Sequence, residues 1–256
     1  MNLSQYSVSF IYTFLIIFCR VGGVVMFAPG IGETLINIRI RLLFSLVLSL
    51  VLLPVTFATK LLPIPNNAIE LFLNISSEIV VGVFIGLFLK ILVSVVTTFG
   101  FIISNSMGLS AATLVDPSQA SQQGTLLGNF FTILVIVLIF AVGIDHAIIN
   151  GIASSYKTFP ILSYAEYSED YTQTIVRIVN EVWILSVKMA SAFIIISLLI
   201  NIGGGILSKL MPQLHIFFLI IPLQSLIGFL FLSITISTLM LWFIEKYTYY
   251  INNLFG

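Results

Sequence analysis

Six long apolar stretches, at about residues 7–28, 40–58, 69–104, 126–149, 182–202 and 214–244, leave little of this chain for water. Only 20 of its 256 residues are charged, 8%, where a soluble domain carries about a quarter. Apolar residues make up 59% and the mean hydropathy is +1.16. Twenty charges cannot wet a surface of this size, which excludes an ordinary cytosolic enzyme and a disordered chain. Ten basic residues balance ten acidic ones, so no basic face is available for nucleic acid. What remains is an integral membrane protein, or one whose surface is covered by partner subunits.

None of the stretches alternates with period two, so helices rather than barrel strands are expected, in an all-α fold of one domain over residues 1–256. Punctuation supports the divisions. Pro29-Gly30 closes the first stretch, Lys60, Pro63 and Pro65 separate the second from the third, and Asn67 with Glu70 reads as a helix start. Asp116-Pro117 reads as a cap followed by a proline in the first turn. Met1–Gln5 carries no basic residue, so a cleavable signal peptide is not expected.

Two stretches exceed a plain span. Residues 69–104 would make a helix of about 54 Å against a hydrocarbon core of about 30 Å. The last stretch is also long, and it carries Pro222 with Pro212 just before it. Steep tilt, breaks, or projection beyond the bilayer under a coat of neighbouring subunits would each absorb the excess. The positive-inside rule gives no orientation, with Arg39, Arg41 and Lys209 on one set of loops and Lys60, Lys157, Arg177 and Lys246 on the other. Residues 156–181 hold Lys157, Glu166, Glu169, Asp170, Arg177 and Glu181 and read as a polar connection with some helix.

Catalytic motifs are absent. His146 and His215 lie far apart, no zinc-protease, nucleophile-elbow or phosphate-loop pattern occurs, and no cofactor is implied. Cys19 is the only cysteine and reads as a small core residue. More telling are ionisable residues inside apolar stretches: Arg20, Glu78, Lys90 and Lys188. Helical phase separates Glu78 from Lys90 by about 120°, so they cannot pair, whereas Glu181 and Lys188 share a face. Pairing between helices or subunits, or snorkelling, is favoured over a proton path, since only Glu78 is a deep carboxylate.

Small residues mark packing and hinges. Gly82 and Gly86, and Gly124 and Gly128, stand at the spacing that lets helix backbones approach. Gly203, Gly204 and Gly205 each cost about 1 kcal/mol in a helix relative to alanine, so a break is expected there, reinforced by Pro212 and Pro222. Residues 100–123 mix Ser, Thr, Asn and Gln with small apolar side chains, and Asp116 is the only charge. Such a tract suits the wall or mouth of a passage, and equally an ordinary interfacial connection.

Three ordered motifs resemble those of the FliR family. They are Arg20 to Pro29 with Glu33 and Arg39–Arg41, then Met107-Gly108-Leu109-Ser110 with Asp116-Pro117, and Met211-Pro212-Gln213 with Phe217 and Pro222-Leu223. Asn37, Lys209 and His215 depart from that family's usual residues. The resemblance implies an all-helical export-gate subunit of the flagellar type III secretion system, in the bacterial inner membrane at the basal body. It implies assembly with FliP and FliQ, and with FlhB and FlhA, amid membrane lipid, for passage of unfolded flagellar proteins. It also implies a plug loop that includes Ser106, Met107, Gly108, Leu109, Ser110, Asp116 and Pro117. A virulence-injectisome counterpart is the alternative. A small-solute transporter would predict two related halves, and no such symmetry is visible.

Overall fold

The computed structural model describes residues 3–33, 36–57, 62–65, 67–109, 126–161, 164–211 and 217–255. These residues form seven α-helices and no strand: α1 (Leu3–Phe27), α2 (Ile38–Phe57), α3 (Ala68–Ser106), α4 (Leu126–Val142), α5 (Ile144–Thr158), α6 (Tyr164–Leu210) and α7 (Phe217–Phe255). Five are long and apolar enough to cross a bilayer, and α4 with α5 would make a sixth, broken span. The chain is an all-α membrane protein.

Local chemistry sets the ends. α1 stops before Pro29, which disfavours helix at the residue preceding it, and Gly30 turns the chain with φ of 83°. The Asn37 side chain then accepts the Arg39 N–H at 3.1 Å, capping the start of α2. α3 runs for 39 residues, about 58 Å, and bears out the over-length third stretch.

Two expectations are corrected. The stretch at 126–149 is not one segment: Gly143, at φ of 80°, ends α4 and begins α5. Nor do Gly203, Gly204 and Gly205 break anything, because α6 continues through them to Leu210. Lipid offers the backbone no other hydrogen-bond partner, which outweighs a propensity cost of about 1 kcal/mol per glycine. Gly204 instead makes room, since a Cβ there would overlap the Ile220 side chain. Pro222 likewise lies inside α7, while Pro212 falls outside the described residues. The polar connection is largely helical, as α6 already begins at Tyr164.

Contacts sort the chain into two compact units, each interleaved along the sequence: residues 1–92, 142–178 and 248–256, and residues 93–141 and 179–247. In the first, Ile16, Ile17 and Val21 of α1 are fully buried with Ile85 and Leu89 of α3. The Gly82/Gly86 spacing acts there as read. A Cβ on Gly82 would overlap the Arg20 carbonyl, and one on Gly86 would come within 2.9 Å of the Val24 carbonyl. In the second unit Phe99 packs 5.1 Å from Phe131 and 6.2 Å from Phe193, which stands 4.9 Å from Phe231. Gly100 and Gly128 bring α3 and α4 backbone to backbone, so that a Cβ on Gly100 would lie 2.5 Å from the Gly128 Cα. Gly124 lies outside the described residues.

Candidate functional site

Arg20 sits on α1 with no solvent exposure, in a chain with few charges to answer it. The close glycine contact between α1 and α3 brings Glu78 within reach. The guanidinium Nε donates to Glu78 Oε2 at 2.6 Å and one terminal nitrogen donates to Oε1 at 3.0 Å. This is the two-pronged geometry that a planar guanidinium provides and a lysine does not. That terminal nitrogen also donates to the Phe159 carbonyl at 2.9 Å, and the other donates to Ser155 Oγ at 3.2 Å. The Tyr156 ring stacks on the cation, its centre 3.9 Å from Cζ.

Three helices are joined by this cluster, and its net charge is zero. A second tie lies one turn earlier on α3, where Asn74 Nδ2 donates to Tyr12 Oη at 2.7 Å. A cavity of about 610 Å³, lined by Val55, Thr56, Leu62, Asn150, Ser154 and Tyr156, meets the Arg20 cluster at Tyr156. Ser155, Tyr156 and Phe159 were not read from the sequence as partners of Arg20. No local signal set them apart, since α5 also carries Asp145, His146, Asn150, Ser154 and Lys157.

The remaining intramembrane cations behave differently. Lys90 on α3 and Lys188 on α6 are both exposed, and neither forms an ion pair with a described residue. Glu78 is taken by Arg20 and not by Lys90, in keeping with their helical phase. Lys188 forms no ion pair with Glu181, the residue that shares its face.

The tract around Met107 begins with a fully satisfied helix end. A helix leaves its last four carbonyls without partners, here those of Ser104 to Met107. Gly108, in the left-handed region at φ of 71°, folds the chain back so that Leu109 N–H reaches the Ser104 carbonyl at 3.0 Å and Gly108 N–H the Asn105 carbonyl at 3.1 Å. The other two are met by α7. Gln224 Nε2 donates to the Ser106 carbonyl, and the Ser225 hydroxyl faces the Met107 carbonyl at 2.8 Å and its own helix's Ile221 carbonyl at 3.0 Å. Gln224 also donates to Ser197 Oγ on α6 at 2.6 Å.

The Met107 side chain is buried, and only a glycine at 228 leaves space for it, since a Cβ there would come within 2.5 Å of Met107 Cγ. Gln224, Ser225 and Gly228 escaped the sequence reading, although Gln224-Ser225 is a polar pair inside an apolar run. Of the motif residues, Ser106, Met107, Gly108 and Leu109 are thus placed. Ser110, Asp116 and Pro117 lie outside the described residues.

Long apolar helices tied by buried polar clusters define a membrane-embedded, all-helical protein. The chain belongs to the bacterial export proteins, family 1, whose pattern matches residues 11–249. Within that family it is a FliR-type chain. It is 32% identical to the flagellar biosynthetic protein FliR of Caulobacter vibrioides over 237 residues, covering 93% of each chain. It is 26% identical to FliR of Aquifex aeolicus over 96% of each. The Yop proteins translocation protein T of Yersinia pestis is 28% identical over 178 residues, 68% of this chain and 67% of that one.

Proposed function

We propose that this chain is a subunit of the type III secretion export gate of the bacterial flagellum, through which unfolded flagellar proteins leave the cytoplasm. The observation that carries the reading is the similarity to FliR along 93% of the chain. The flagellar branch is favoured over the injectisome because the Yersinia counterpart aligns over only 68%. FliP and FliQ are its gate partners in this reading, with FlhB and FlhA alongside, in the inner membrane at the flagellar basal body. The whole chain acts as one gate domain whose role is to wall and obstruct a conduit, which calls for no catalytic residue. The segment from Ser106 through Pro117 is the obstruction, and its first four residues start from the satisfied end of α3.

Two readouts test this together. A tagged copy should restore swimming to a deletion strain and should co-purify with FliP and FliQ. Failure of both overturns the reading. Export rescue in a deletion of the injectisome counterpart, without restored swimming, would favour the alternative branch.

A further inference from the structure

Between Val182 and Ser208 of α6, Lys188 is the only ionisable residue. It stands about 10 Å along the helix from Glu181 and about 32 Å from Lys209. An ammonium held there without a counter-charge is costly in hydrocarbon, and the described residues supply no carboxylate to it.

Two of its four neighbours along the helix surface are polar as well. Asn180, Ile184, Lys188, Ser191 and Ile195 follow one another at spacings of three and four, and all five are exposed. An amide, an ammonium and a hydroxyl therefore share one edge. A line of the same kind on α7 runs through Leu219, Leu223, Leu226, Leu230 and Ile234, all exposed and all aliphatic. Lipid suffices for the second line. On the first line the Lys188 ammonium needs a polar partner, and it is the line's only charge.

We infer that the Lys188 edge of α6 docks an apolar helix of a sister gate subunit that carries an Asp or Glu at the same depth, forming an ion pair across the interface. The inference rests on the gate-subunit reading for its occupant and goes beyond it in naming the edge and the chemistry. Ser191 and Asn180 flank the pair, with the small Ser191 admitting close approach; its hydroxyl is already turned back to the Lys188 carbonyl at 2.8 Å.

The test uses the full-length tagged chain co-expressed with the other gate subunits of the same bacterium. Lys188→Arg should assemble as well as the wild type. Lys188→Met should lower the co-purified subunits about tenfold by stranding the partner carboxylate, and Lys188→Glu should lower them further. A photo-reactive benzoylphenylalanine at Ile184, with Lys188 intact, should label a sister subunit on a peptide holding Asp or Glu. Changing that acid to Lys should restore assembly of Lys188→Glu. Wild-type recovery of Lys188→Glu, or labelling of phospholipid alone from position 184, overturns the inference and assigns Lys188 to snorkelling. Should the wild-type chain itself capture no gate subunit, the gate reading fails first.

Discussion

Arg20 and Lys188 show two ways for an apolar helix to carry a positive charge. Arg20 is answered inside its own unit by one carboxylate, one hydroxyl, one carbonyl and one aromatic face. Lys188 is exposed on a stretch of α6, Val182 to Ser208, that holds no other ionisable residue, and it has no answering group among the described residues. The side chains suit the difference. A planar guanidinium with five donors can be satisfied completely in one dry place, while an ammonium on a flexible stem waits for a charge brought by another chain. The first arrangement holds the subunit together, and the second leaves it incomplete alone.

The contrast can be broken most forcefully at the internal pair. Arg20→Ala or Glu78→Ala leaves a buried charge unanswered and should cost about 3–5 kcal/mol, read from unfolding in detergent micelles. Arg20→Met combined with Glu78→Met should cost less than either single change, because no charge is then stranded. Equal or greater loss in the double variant would show that the ion pair itself, and not the stranded charge, dominates.

Gly82→Ala attacks the same cluster through the backbone. Its methyl would meet the Arg20 carbonyl, and about 3 kcal/mol of destabilisation should follow. An unchanged melting temperature would mean that α1 and α3 can part without harm. Gln224→Ala provides the uncharged counterpart in the other unit. It removes the donor to the Ser106 carbonyl and should cost about 2 kcal/mol, with faster amide exchange at the end of α3 as the specific signature. The smallest effect on the fold belongs to Lys188→Met. In the isolated chain it should change stability by about 0.5 kcal/mol or less, as for other exposed positions. A large loss there would mean that Lys188 already has a partner within the chain.

Much of the scaffold was legible because burial of apolar residues in long helices leaves a composition signal. The over-length third stretch and the close approach at Gly82 and Gly86 both followed from local pattern. The failures were of two kinds. At Gly203–Gly205 helix propensity was read as decisive, whereas a backbone in an apolar setting keeps its own hydrogen bonds. At Gly143 one glycine in an apolar run gave too faint a signal of a break. The Arg20–Glu78 pair spans 58 positions, and no local spacing could have matched them, although both residues were singled out. Residues 100–123 stand out for their uncharged polar side chains and Met107-Gly108-Leu109 as part of a family motif, but neither reads as a helix terminus, since the side chains that complete it arrive from α7.

That terminus also has a mechanical meaning. With every carbonyl from Ser104 to Met107 engaged, α3 has no loose turn to give up under tension. A pull on the chain at Leu109 would pass through Gln224 and Ser225 into α7 as a shear load, so the two helices would yield together or not at all.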